Sequence, residues 1–378
     1  MSPEQRIDSL TGIRGMAALL VVYAHLAEEH FFAISGLHPG EMGVMVFFTL
    51  SGFLMAFLYG NKTFDYSAVA RYGISRFSRI APAYLTVVVA SYLIYNLIDA
   101  KFVYAITHQN LIRHLAFSGN VSALWSIPPE VQFYVIFVGL WLALWAFRTR
   151  NNAALLVLAL TVVFTLMANR GALPGTFVGS KIHYFVVGVA FGLLRSRIAA
   201  GVGLISLSYL QALAVVLIGL VVAGVVGLDL GTKRELYLDL VPALFAGVFV
   251  FLFSFDTGLS KLIFGNRAIT MCGECSFSMY LLNLPIIYVA MVLMGDMPPT
   301  PALAIPVTAA ILLAAWAMYR LVELPGATLL RGLGTRLLLR PPAVAAVAMA
   351  PVVEEAFVEE PLIVDTLAIN PAGAEQTQ

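Results

Sequence analysis

Apolar positions fall along this chain in long runs, separated by short polar connections. The opening run, "SLTGIRGMAALLVVYAHL" at 9–26, sets the pattern. A hydrocarbon core asks for about 20 mostly apolar residues per helix. By that rule the first four spans fall at 10–28, 43–59, 80–98 and 131–147. Three more fall at 153–168, 183–194 and 205–228, and the last three at 240–255, 277–294 and 303–321. The predicted fold class is all-α: a polytopic transmembrane helix bundle of about ten spans. The fifth and sixth spans are short, and the connection between them, 169–181, is a candidate re-entrant loop.

Composition supports this pattern. The chain has 378 residues, 60% of them hydrophobic and 11% charged, with a mean hydropathy of +0.90. A soluble domain carries about 25% charged residues. One large core does not account for that deficit, so the protein is predicted to be integral to a membrane. A net charge of +1 gives no bulk attraction to nucleic acid, which is not expected as a partner.

Basic residues set the expected orientation. With the N-terminus inside, sixteen of the 22 Lys and Arg fall on the cytoplasmic side. Only Lys101, Arg113, Arg170, Lys181, Lys233 and Arg234 fall outside. Both termini are therefore expected in the cytoplasm. The first apolar run lacks a basic leader and a small-residue cleavage site, so no removable signal peptide is expected. Residues 1–340 form the membrane unit. Residues 341–378, rich in Pro, Ala and acids, read as a disordered cytoplasmic tail. Internal repeats of the transporter kind are not evident. Cys272 and Cys275 form a lone C-x-x-C without further ligands in the neighbouring sequence, so no metal site is expected.

The charged residues inside the spans carry the chemistry. Arg14 and His25 are eleven residues apart, close to three turns, so they share a face about 16 Å apart along the axis. Each then needs its own partner. Arg14 either snorkels to headgroups or marks the cytoplasmic mouth of a passage. His25 either bonds a neighbour or, as a neutral imidazole, serves as a general base. Ser51-Gly52 interrupts the second span, permitting close helix approach or access to a cavity, with Ser51 a weak nucleophile candidate.

Arg71, Arg76 and Arg79 cluster at the start of the third span. They anchor topology or clamp an anionic ligand with forked donors. In "SALWSIPPEVQFYVIF", Glu130 lies near a helix start. It is a dipole partner, or fixes His25 or Arg113, or binds a polar substrate. Trp125, Phe133 and Tyr134 suit an interfacial belt or a platform for a sugar ring. Asn283 lies within the ninth span, and Arg320 and Glu323, three apart, form an expected local ion pair.

Together these segments resemble the acyltransferase-3 family. The resemblance runs from about Arg6 to Glu323. It rests on Arg14 and His25 with ten residues between them in "TGIRGMAALLVVYAH", on "FFTLSGFLM" and on "RFSRIAPAYL". It continues through "WSIPPEVQFY", "SFSMYLLNLP" and "VELP". The resemblance implies a bacterial inner-membrane enzyme that moves an acyl group, usually acetyl, from cytoplasmic acyl-CoA to a hydroxyl. The implied acceptor is a glycan or glycolipid beside membrane lipid. His25 is then the catalytic histidine and Arg14 its motif partner. Arg76 and Arg79 match the paired arginines, and Glu130 the fourth-span glutamate. Asn283 stands where many members have His, and "PPEV" departs from the commoner polar spelling.

The implied sites are catalytic His25, Arg14 and Glu130; donor-binding Arg71, Arg76 and Arg79; and substrate-binding Ser51, Trp125, Tyr134 and Asn283. Direct transfer through a passage joining Arg14 to His25 is the expected mechanism, with an acyl-enzyme on Ser51 or His25 as the alternative. A secondary transporter of a polar or lipid-linked sugar is the competing function. A purely structural scaffold leaves Arg14 and His25 unexplained.

Overall fold

The structure is a computed structural model that describes residues 7–34, 37–198, 203–227 and 231–339. Among these residues the regular secondary structure is helical throughout. The predicted tail, 341–378, lies outside the described residues.

All ten predicted spans are helices. They are α1 (Asp8–Glu28), α2 (Pro39–Tyr59), α3 (Tyr66–Leu97), α4 (Ile127–Arg150) and α5 (Ala153–Ala168). The remainder are α6 (Ile182–Arg197), α7 (Leu204–Val222), α8 (Leu240–Phe253), α9 (Ser276–Met294) and α10 (Pro301–Met318). Seven helical stretches are long and apolar enough to cross a membrane. The other three, α5, α6 and α8, have 16, 16 and 14 residues. At 1.5 Å per residue these reach about 24 Å or less, short of a hydrocarbon core of about 30 Å.

Two helices begin or continue well beyond the apolar windows. α3 starts at Tyr66, where the side chain of Asp65 accepts from the Ala68 amide and caps the first turn. Arg71, Arg76 and Arg79 are therefore inside a 32-residue helix and not in a loop before it. After α10 the chain makes a π turn, Tyr319–Glu323, and continues as α11 (Leu324–Leu338). α11 lies along the first half of α3, where Arg331 Nε donates to Ser78 Oγ at 3.3 Å.

The connection 169–181 holds two short 3-10 turns, Arg170–Ala172 and Val178–Ser180. It is pinned by Gln132, whose Nε2 donates to the Thr176 carbonyl while its Oε1 accepts from the Val178 amide.

Helices in lipid gain little from apolar contact, so close packing depends on small residues. α2 shows this most clearly. A Cβ on Gly52 would sit 2.0 Å from the Phe185 carbonyl oxygen, and one on Gly188 would sit 2.1 Å from that of Thr49. The α2 and α6 backbones therefore nearly touch at two levels. On its other side α2 runs antiparallel to α1, with Gly43 against Ala17 and Gly40 against Ala24.

Outer helices are held more loosely. Val163 is the buried residue of α5 and Gln211 that of α7. Gln211 docks α7 by donating to the carbonyls of Leu252 and Phe255 and accepting from Thr257. Leu158, Phe164 and Leu217 point outward. Surface apolar residues in such number fit contact with lipid tails.

Gly52→Ala is expected to lower stability by about 1–3 kcal/mol, because α2 has to move away from α6. Gly139→Ala, where nothing lies within 4 Å of the added carbon, is expected to leave it unchanged or slightly higher. Thermal unfolding of the two purified variants in one detergent checks the pair.

Candidate functional site

Five helices, α1, α2, α3, α4 and α9, and the 3-10 turn Ser122–Ser126 enclose a cavity. Its polar wall holds Arg14 from α1, Ser51 from α2, Arg76 and Arg79 from α3, and Glu130 from α4. Ser126, Ser276 and Tyr280 complete it. Ser51 and Gly52 thus divide the two uses expected of them: the glycine meets α6 and the serine faces the cavity.

Each charge has a distinct setting. Arg14 Nη2 donates to Ser276 Oγ at 3.0 Å. Glu130 Oε1 accepts from Ser51 Oγ at 3.0 Å and from Tyr134 Oη at 2.6 Å. Of the roles open to Glu130, the hydrogen bonds go to these two hydroxyls and not to His25 or Arg113. The Arg76 guanidinium lies 5.9 Å from the centre of the Tyr59 ring, and its buried Nε has no hydrogen-bond partner. Three guanidinium groups thus face a cavity with one carboxylate on its wall. The arrangement is suited to an anion.

A second carboxylate stands just behind. Glu323 is buried, accepts from Ser278 Oγ at 2.7 Å, and lies within electrostatic reach of Arg79 and Arg14. The expected Arg320–Glu323 pair does not form. Arg320 lies over the Trp316 ring at 5.7 Å instead. The cause is the π turn Tyr319–Glu323: its wider winding separates residues three apart that an α-helix would stack on one face.

His25 is one turn beyond this cavity. Asn283 uses both amide protons on the carbonyls of Met279 and Tyr280, at 3.1 and 2.7 Å. Its Oδ1 therefore faces His25 Nδ1 at 2.6 Å and accepts the ring proton. In a neutral ring that bond places the proton on Nδ1 and the lone pair on Nε2. His25 is half-buried and Asn283 fully buried.

The cavity lining holds Arg14 but not His25. On α2 it reaches Val44, whereas Gly40, which lies against Ala24 beside His25, is about 6 Å further along the axis. Phe47 and Tyr280, both on the cavity wall, meet edge-to-face with ring centres 6.4 Å apart. Tyr280 is itself held, donating to the Ala123 carbonyl and accepting from Ser126 Oγ.

The remaining predicted site residues lie apart. Arg71 is exposed on the first turns of α3 and donates to Ser67 Oγ at 2.7 Å, away from the cavity wall. Trp125 packs edge-on against Phe48 and Tyr237. Tyr134 is not on the cavity lining; it hydrogen-bonds Glu130 and lies within electrostatic reach of Arg14, Arg76 and Arg79.

Sequence reasoning passed over Ser126, Ser276, Ser278, Tyr280 and Glu323 as members of this site. Ser276 and Asn283 carried a signal: seven apart in an apolar helix, they share a face, and that face meets Arg14 and His25 of α1.

Comparison with known proteins gives this geometry its context. The family profile described as an acyltransferase domain matches residues 7–320. "Protein 2 in picA locus" of Rhizobium radiobacter is 30% identical over 194 residues, 44% of this chain and 96% of that protein. Acyltransferase MdmB of Streptomyces mycarofaciens is 31% identical over 152 residues, 35% of this chain and 38% of that protein. No solved structure matches. With the matched region covering every residue of the cavity except Glu323 behind it, this multi-pass membrane chain belongs to the acyltransferase-3 family and is a transferase.

Proposed function

We propose that the protein is an O-acyltransferase of the bacterial inner membrane, with N-terminus and C-terminus inside. It carries an acyl group, acetyl first among the candidates, from cytoplasmic acyl-CoA to a hydroxyl of an exported glycan or glycolipid. One observation carries the reading. A single helix, α1, places Arg14 in an arginine-rich cavity and, about 16 Å further on, His25 with its Nδ1 proton held by Asn283.

The cavity receives the donor. Arg14, Arg76 and Arg79 supply the forked donors that anionic groups of acyl-CoA require. Glu130, bonded by Ser51 and Tyr134, offsets part of their mutual repulsion. Arg14 is too far from His25 to stabilise charge at the reacting carbonyl, so its part is in binding.

At His25 the acceptor hydroxyl gives its proton to Nε2 as its oxygen attacks the thioester carbonyl carbon. The carbon–sulfur bond then breaks, and the departing thiolate takes the proton back. Asn283 keeps the ring oriented through the cycle and accepts from the imidazolium as it forms. This is the part a carboxylate plays in a Ser-His-Asp triad, here taken by a neutral amide.

Two measurements test the reading. Transfer of labelled acetyl from acetyl-CoA by the purified protein should fall about 10²–10⁴-fold in His25→Ala, while Arg79→Ala should chiefly raise KM for the donor. A stable acyl adduct on Ser51 or His25 would replace direct transfer with an acyl-enzyme. In cells, mass spectrometry of surface glycans should lose an ester mass on deletion, and a His25→Ala chain should not restore it. Full restoration by that variant would remove His25 from the mechanism.

A further inference from the structure

On the side of the bundle where α1 ends, four of the six basic residues assigned by sequence to the outer face gather on one short helix, Lys233–Leu238. Lys233 and Arg234 belong to it. Arg170 donates through Nε to the Leu238 carbonyl, and the Lys181 ammonium lies 4.6 Å from the centre of the Tyr237 ring. The helix is tied down beside His25. Lys233 pairs with Glu28, three residues past that histidine, at 2.7 Å and with Glu41 at 3.0 Å. Tyr184 Oη donates to the Leu236 carbonyl at 2.6 Å.

Lys181 differs from the other three. It is only 6% exposed, and the aromatic face of Tyr237 is the partner its ammonium has. Burial pushes its pKa down to about 8, and among the described residues no carboxylate is near enough to offset the effect. A buried cation without a counter-charge is costly, and a cation–π contact returns part of that cost. Tyr237 in turn meets Trp125 edge-on at 5.5 Å, and Trp125 meets Phe48 of the cavity wall. A buried cation stacked on Tyr237, whose ring in turn meets Trp125, on the helix tied to the end of α1, has the features of a recognition point for a charged sugar.

We propose that Lys181, seated on the Tyr237 ring, binds an anionic group, carboxylate or phosphate, on the sugar that accepts the acyl group. The anion completes the ion pair that Lys181 lacks, and the sugar ring lies against the aromatic side chains. The ligand's part as acceptor rests on the acyl-transfer reading above; the site itself does not.

The test uses the full chain in detergent and four ligands: a glucuronate-bearing disaccharide, a phosphate-bearing one, their neutral parent and acetyl-CoA. Binding is read by tryptophan fluorescence. At least one charged disaccharide should bind about tenfold or more tightly than the neutral parent, and the tighter of the two identifies the anion. Lys181→Met should abolish that preference without lowering the Tm, because it removes an unpaired buried charge. Equal binding of charged and neutral sugars by the wild-type chain would overturn the proposal, and that comparison needs no variant to fold. So would a Lys181→Met chain that keeps the preference. Should acetyl-CoA be bound and consumed without any preference for charge, only this site falls. A preference for charge without use of acetyl-CoA retains the site and removes the transferase reading from it.

Discussion

Charge in hydrocarbon is the constraint around which this bundle is arranged. An arginine at mid-membrane costs about 2.5–3.5 kcal/mol on insertion scales, and three of them, Arg14, Arg76 and Arg79, share one cavity. They are kept from lipid by helices from distant parts of the chain: α9 brings Ser276 to Arg14, α4 brings Glu130, and the π turn after α10 brings Glu323 behind Arg14 and Arg79. The enclosure keeps an excess of positive charge facing an empty space. A purely structural network would be expected to neutralise it.

Glycine makes that enclosure possible. Gly52 and Gly188 let the α2 and α6 backbones come almost into contact, fixing the rotation of α2 about its axis. Because Ser51 is the next residue along, the same contact that buries Gly52 turns Ser51 toward Glu130. Packing and polar geometry are thus set by one two-residue step. A similar economy holds on α9. Tyr280 lines the cavity beside Phe47, while Asn283, one turn on, bonds the Tyr280 carbonyl and meets His25.

Much of the architecture was legible locally. The ten helices follow from runs of apolar residues, and hydropathy is a property each segment carries by itself. The start of α3 was not, because Arg71, Arg76 and Arg79 resemble a basic loop until the Asp65 cap is recognised. Glu323 was misassigned to Arg320 because spacing of three implies one face only while the helix stays α; a single π turn cancels that inference. Arg71 belonged by proximity to a cluster whose other members, about one and a half and two turns further along, face inward.

The sequence by itself determined that the chain is a membrane bundle of one recognisable family, that Arg14 and His25 share a helix face, and that arginines gather near the start of α3. These depend on composition, period and motif, which a one-dimensional string retains. Only the tertiary structure decided the partners. Ser276 meets Arg14 across 262 residues of chain, and Asn283 meets His25 across 258. It likewise decided that Phe47 and Tyr280 meet on the cavity wall, and that Lys181 is buried with no anion beside it among the described residues. Side chains this far apart in sequence are brought together by helix packing, whose close approaches depend on particular glycines and whose rotations no local pattern records.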